Sequence, residues 1–225
     1  MNAPAAPPST FVVPPLADRV RIAASALLDI ARDPGRLDRV FDLGEALNAP
    51  RIPQILDRIA AEPAGKRLLE ERPRIDAAHV DFDALRALPD GTLGREYTRF
   101  LDTNGITPDV FQLPTTVKDD RIAYVMLRIR QTHDLWHVLT GYTPDVAGEV
   151  LLQAFTYAQL DAPSALAITI VGTLRYGRKA PRFGRRLVTA LRRGKRTKKL
   201  ATFYWEDHWA EPVAELRAKL TCAPE

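Results

Sequence analysis

Residues 117–141 read VKDDRIAYVMLRIRQTHDLWHVLTG, and the spacing of their apolar positions decides the fold. Ile122, Val125, Met126, Ile129, His133 and then Trp136 or His137 recur every three or four residues, the period of one face of an α-helix. Gly141 follows where a left-handed residue ends a helix. Thr143-Pro144 then reads as an N-cap and first-turn pair opening a second helix, DVAGEVLLQAFTYAQLDA. The two together predict a helical hairpin.

Working outward toward the N-terminus, the same period continues. Residues 17–34 place Val20, Ile22, Ala23, Leu27, Leu28, Ile30 and Ala31 on a broad stripe that stops at Pro34-Gly35. Residues 37–47 and 52–63 repeat the pattern, and 64–73 end at a proline. Asp81 reads as an N-cap, Pro89-Asp90-Gly91 as a turn, and residues 93–105 as a helix closed by Asn104-Gly105. No alternation of period two is sustained. The expected fold class is therefore all-α, a single-domain helical bundle built around the hairpin.

The 225-residue chain, 46% of it hydrophobic, is long enough for one sizeable core. Its one cysteine, Cys222, allows no intramolecular disulfide and no cysteine-rich zinc site, which fits a reducing, cytoplasmic setting. Residues 1–16 are Ala/Pro-rich, lack a secretory signal and read as a flexible arm before a domain at 17–225. The most apolar window, residues 162–174, holds thirteen uncharged residues, short of the roughly 18 to 20 that a membrane-spanning helix needs.

The net charge of +4 conceals a segregation. Twelve Lys and Arg and no acid fall between Arg175 and Lys199, leaving the rest of the chain at −8. Such a segment attracts phosphate. With basic residues around Phe183, Leu187, Val188 and Leu191 it reads as an amphipathic segment drawn to an anionic membrane surface. Nucleic acid is disfavoured as a partner, since aromatic interleaving stops at Tyr176 and Phe183 and no recognition motif is present.

Within the hairpin, His133 and His137 lie one helical turn apart, and Asp134 is about 60° round from His137. Glu149 comes early in the second helix, where a short turn can fold it back on them. Four potential ligands for one ion thus fall within seventeen residues. Mixed imidazole and carboxylate ligation suits zinc, iron or manganese. An isolated HxxxH also arises by chance, but His133 continues an apolar stripe, and a buried His-Asp-His cluster needs partners for its polar atoms. A zinc peptidase is disfavoured because Asp134 is one methylene shorter than the glutamate base of HExxH. An HD-type phosphohydrolase is disfavoured too, because the only upstream histidine, His79, is not part of a second His-Asp pair.

The pattern His-Asp, two residues, His, eleven residues, Glu, flanked by RIRQTH and LTGY, resembles the signature of the coenzyme Q biosynthesis protein 4 family. The likeness extends to DGTLGREYTRFL at 90–101 and YWEDHWAEPVAELR at 204–217. It implies an all-helical, zinc-associated protein of ubiquinone biosynthesis that acts at carbon 1 of a polyprenylated benzoate ring, where carboxylate is exchanged for hydroxyl. The ligands it implies are His133, Asp134, His137 and Glu149. It also implies a place on a membrane, here the cytoplasmic face of an inner membrane, and contact with other quinone-biosynthesis enzymes. A non-catalytic, lipid-binding scaffold is the alternative role, and a homodimer is compatible with either.

Two further residues are candidates for the chemistry. Arg130 precedes His133 by three residues and could grip a substrate carboxylate with its planar fork, or be an ordinary solvated arginine. Tyr142, in the hairpin turn, could donate a hydrogen bond or simply pack. Together with Asp134 they form the expected catalytic set.

Overall fold

The computed structural model describes residues 13–33, 35–111, 113–114, 117–177 and 182–224, so the proposed arm lies largely outside the described residues. Those described are helical without a named strand, as the apolar periodicity requires; one isolated bridge joins Thr92 to Pro212. The helices are α1 (Leu16–Arg32), α2 (Leu37–Asn48), α3 (Ile52–Ala61), α4 (Pro63–Glu71), α5 (Phe82–Arg86), α6 (Leu93–Asn104), α7 (Asp120–Thr140), α8 (Val146–Leu160), α9 (Pro163–Tyr176), α10 (Phe183–Arg196) and α11 (Val213–Lys219).

The ends follow from local chemistry. Asp81 caps α5 by accepting from the amides of Asp83 and Ala84, and Asp119 caps α7 through those of Arg121 and Ile122. Gly105 and Gly141 close α6 and α7 at φ of 62° and 78°, a region that favours a residue without a Cβ. One cap differs from the expected one. Asp145, rather than Thr143, starts α8: its carboxylate reaches the amides of Ala147 and Gly148, while the Thr143 hydroxyl donates to Asp145 at 2.6 Å. A carboxylate at a helix N-terminus is favoured by the macrodipole as well as by its hydrogen bonds.

Helix α7 is buried along most of its length by two different neighbours. Its first half sets Ile122, Val125 and Met126 against Ile52, Ile55, Leu56 and Ile59 of α3. Its second half sends Leu135, Trp136 and Leu139 into the largest core cluster, with Tyr97 and Leu101 of α6 and Leu151 and Phe155 of α8. The bidentate pair from Arg128 to Glu206 pins the Trp205–His208 turn onto α7 between these regions. Helix α8 in turn packs against both α9 and α10.

The first helix buries a narrower face than its sequence suggests. Ala23, Ala26 and Ile30 meet Leu43 and Ala46 of α2, whereas Val20 and Leu28 stay 56% and 60% exposed. Among the described residues only α2 and α9 pack substantially on α1, and three of the seven stripe residues, Val20, Ile22 and Leu28, stay exposed.

The basic helix α10 departs further from expectation. Phe183 is buried, and Leu187 and Leu191 are half-buried against the main core; of the four apolar residues singled out, Val188 alone is exposed. Gly194 lets α10 approach so closely that an added Cβ would stand 2.7 Å from the Phe155 carbonyl oxygen of α8. The apolar face of α10 is thus spent on the core, and its cationic face is what solvent sees.

Phe155 is fully buried and meets Trp136 edge-on at 6.2 Å between ring centroids. Its replacement by alanine leaves a cavity at the α7–α8 contact, and Phe155→Ala is expected to lower unfolding stability by about 3–5 kcal/mol in chemical denaturation.

Candidate metal centre

The hairpin places its polar side chains through a short turn of defined hydrogen bonds. The amide of Gly141 donates to the carbonyl of His137 at 2.8 Å, closing α7, and Asp145 opens α8 four residues later. Gly148 allows the return: a Cβ there would stand 2.0 Å from the Thr143 carbonyl oxygen. Glu149 consequently sits in the first turn of α8, facing the last two turns of α7.

His133, His137 and Glu149 each turn a ligand atom to a common point, with those atoms all within 4.8 Å of one another. Glu149 Oε1 lies 3.0 Å from His137 Nε2, and Glu149 Oε2 lies 3.7 Å from His133 Nε2. His137 is almost wholly buried, whereas His133 and Glu149 are half-buried. The donor set therefore has one inner and two outer members.

His137 is held on every side. Its Nδ1 lies 2.8 Å from the carbonyl oxygen of Tyr142, and Phe100 stacks on its ring at 5.3 Å. A carbonyl can only accept, so Nδ1 carries the hydrogen. The neutral ring then directs the Nε2 lone pair at a carboxylate oxygen, and two acceptors at 3.0 Å require a positive charge between or on them. A proton or a metal ion meets that requirement. The residues present thus fit an ion bound by two imidazoles and one carboxylate, a set that leaves coordination open for another ligand.

Three of the four ligands expected from the sequence come together, and Asp134 does not join them. Successive residues diverge by about 100° around a helix, so the Asp134 side chain falls behind His133 rather than beside its Nε2. Its Oδ1 is 3.5 Å from His133 Nδ1, and its buried Oδ2 has no hydrogen-bond partner among the described residues. A carboxylate on the far nitrogen of a metal-facing imidazole orients the ring.

The other two candidates are also placed differently. Arg130 donates to Glu45 at 3.1 Å and lies over the Phe41 ring at 4.4 Å, so it is turned toward α2. Tyr142 is buried and meets His137 through its backbone carbonyl. Phe100 gave no signal in the sequence, because a stacking aromatic on another helix looks like any core residue.

Burial opposes the charged form of His133, but the Asp134 hydrogen bond and the charges of Glu149 and Asp134 outweigh it and raise the pKa. Burial likewise opposes ionisation of Glu149, and the His137 hydrogen bond and the two imidazoles outweigh that, lowering its pKa.

An all-α chain carrying two histidines on one helix and a carboxylate on the next defines the class: a helical protein with a two-helix donor set able to hold one metal ion. The family model described as "Coenzyme Q (ubiquinone) biosynthesis protein Coq4" matches residues 13–225, and the chain belongs to that family. It is 36% identical over 207 residues to the mitochondrial ubiquinone biosynthesis protein COQ4 homolog of Xenopus tropicalis, covering 92% of this chain and 74% of that one. It is 38% identical over 191 residues to the Danio rerio homolog, covering 84% and 70%. The crystal structure of a putative ubiquinone biosynthesis protein from Nostoc punctiforme superposes with a TM-score of 0.74 at 28% identity, covering 91% of this chain and 96% of that one.

The pKa directions fix a pH window for the metal-free chain. The stabilisation from His133 is complete below about 6.5 and is lost as pH rises through its higher folded value. That from Glu149 is complete above about 4.3 and is lost as pH falls through its lower folded value. In chelator, the stability advantage of the wild type over His133→Ala is expected to be largest between about pH 4.3 and 6.5 and to shrink above it, as denaturation midpoints across pH will show.

Proposed function

We propose that the chain acts in ubiquinone biosynthesis at ring carbon 1 of a polyprenylated hydroxybenzoate, exchanging carboxylate for hydroxyl with an ion held by His133, His137 and Glu149. The convergence of these three residues on one half-open point carries the proposal. Exchange of an aryl carboxylate for hydroxyl releases carbon dioxide and is a two-electron oxidation, which balances with dioxygen as the oxidant when water supplies the hydroxyl oxygen and dioxygen leaves as hydrogen peroxide. Bound zinc supplies Lewis acidity toward a ring phenolate or carboxylate, and iron or manganese would add redox chemistry.

The chain's own residues divide the remaining work. Asp134 orients His133, and the Tyr142 carbonyl keeps the hydrogen of His137 on Nδ1. Arg130, one turn before His133, takes the substrate carboxylate by exchanging it for Glu45. Burial of Asp134 and His137 and the Phe100 ring keep water from the inner side.

A polyprenyl substrate has to be drawn from a bilayer, and α9 and α10 supply the surface. Leu166, Ile170 and Leu174 recur every four residues on α9 and are 37%, 51% and 67% exposed. The exposed arginines 185, 186 and 192 of α10 follow. Among the described residues no helix is long and apolar enough to cross a membrane, and we propose a peripheral association. The Xenopus and Danio relatives are named as mitochondrial proteins, which does not support the cytoplasmic face expected from the sequence.

Loss of the gene is expected to make a ring-carboxylated polyprenyl intermediate accumulate under aerobic growth, and His137→Ala, supplied in trans, to leave it uncorrected while the protein stays folded. An unchanged quinone pool with His137→Ala would favour the alternative, a scaffold for other quinone-biosynthesis enzymes whose ion is structural. Liposome sedimentation provides a separate check. Binding should rise with anionic lipid content and fall with salt, since attraction is screened over about 8 Å at physiological ionic strength.

A further inference from the structure

Two arginines far apart in sequence converge on the end of the helix that carries both histidines. Arg217 of α11 donates from Nε to the Leu139 carbonyl at 2.8 Å and from Nη2 to the Val138 carbonyl at 3.0 Å. Arg193 of α10 donates from Nη2 to the Thr140 carbonyl at 2.8 Å and also to the Ala223 carbonyl. Three consecutive carbonyls of the last turn of α7 are therefore taken by guanidinium groups. Ordinarily such carbonyls are left to water or to the residues just beyond the helix.

Arg193 reaches beyond the helix end. Its guanidinium lies 4.7 Å from the centroid of the Tyr142 ring and also faces the buried Cys222 thiol, and its Nε and Nη1 are buried. A solvated arginine would keep those donors in water, so this side chain is held inward by the ring face and the carbonyls. Tyr142 is the residue whose carbonyl takes the His137 hydrogen. The connection therefore runs from Arg193 through the Thr140–Tyr142 turn to the Nδ1 of His137, and from Arg217 through the two preceding carbonyls to the same turn.

We propose that Arg193 and Arg217 are positioning residues for the ion site: they fix the last turn of α7 and the Tyr142 carbonyl, so that His137 keeps its hydrogen on Nδ1 and its Nε2 toward Glu149. The proposal rests on the metal-binding reading above. It assigns to one member of the basic segment a role unrelated to membrane or phosphate. Arg192 next to it is exposed and makes a natural control.

The test uses the full chain with cobalt(II) as the probe ion, its affinity read from visible absorption, and locates the His137 hydrogen by 15N NMR in the metal-free protein, at a pH high enough to remove the proton that Nε2 and Glu149 would otherwise share. Arg193→Gln and Arg217→Gln are expected to weaken cobalt binding about ten-fold or more, well below their melting temperatures, and to replace the single Nδ1–H form of His137 by a mixture. Arg192→Gln should match the wild type in both. Wild-type affinity and a single Nδ1–H form in the two inward variants, whatever their thermal stability, would overturn the proposal. So would weakened affinity with the Nδ1–H form intact, because the arginines would then act through fold or charge alone. If a glutamine variant does not fold, Arg193→Lys and Arg217→Lys carry the same comparison, with a smaller weakening expected because one ammonium replaces a fork. A wild type that binds no cobalt yet shows the arginine-dependent hydrogen position would sink the metal reading and leave the clamp standing.

Discussion

A backbone carbonyl has no hydrogen to give, and that fact at Tyr142 sets the state of the site. Facing it at 2.8 Å, His137 Nδ1 must be protonated, so Nε2 becomes the atom that answers Glu149. Had the carbonyl been a hydroxyl, either tautomer would serve. Because Tyr142 follows a left-handed Gly141, its carbonyl direction is set by the way α7 ends, and the way α7 ends is set by its packing.

That packing explains why α7 can hold the ligands rigidly. A helix with one buried face can rock about its axis without large loss of contact. Here α3 covers the first half of α7, while α6 and α8 cover the second, so rotation would break contacts of both kinds. The Arg128–Glu206 pair lies between them and adds a directional constraint. Side-chain donors built on such an element hold their geometry better than donors on a loop.

The fold and the hairpin were legible in the sequence because both depend on short-range periodicity. The apolar spacing in 117–141, Gly141 after it and the His133–His137 interval each express a local helical rule. The same local reading misplaced the α8 cap by two residues: Thr143 and Asp145 both have capping chemistry, and only the three-dimensional turn selects which oxygen reaches the amides. For Asp134 it left two roles, ligand or a group orienting a ligand histidine, because angular position alone is ambiguous, and the structure sets its Oδ1 3.5 Å from His133 Nδ1. Arg130 could not be assigned from its helix face, because its partners Glu45 and Phe41 lie more than eighty positions earlier. Nothing in the sequence sets Arg193 apart from the other cations of its run, since inward and outward positions of an amphipathic helix become distinct only when its neighbour is known.

Charge balance around the site shows why cations so close to a cation site are tolerable. Arg193 and Arg217 are bound to carbonyls at the C-terminal end of α7, where the macrodipole is negative, and that end attracts positive charge. Burial lowers the pKa of Arg217, and the nearby Arg193 lowers it further, so the two would repel in a nonpolar setting without those carbonyls. On the other side of the histidines stand the carboxylates Glu149 and Asp134, which would offset a divalent ion at the proposed site. Positive and negative partners are thus separated along α7, with arginines at its end and carboxylates beside its last two turns. An arginine moved from the first position to the second would compete directly with the ion, which is the physical reason that the inward-facing cations of α10 and α11 meet backbone oxygens and leave the carboxylates free for the site.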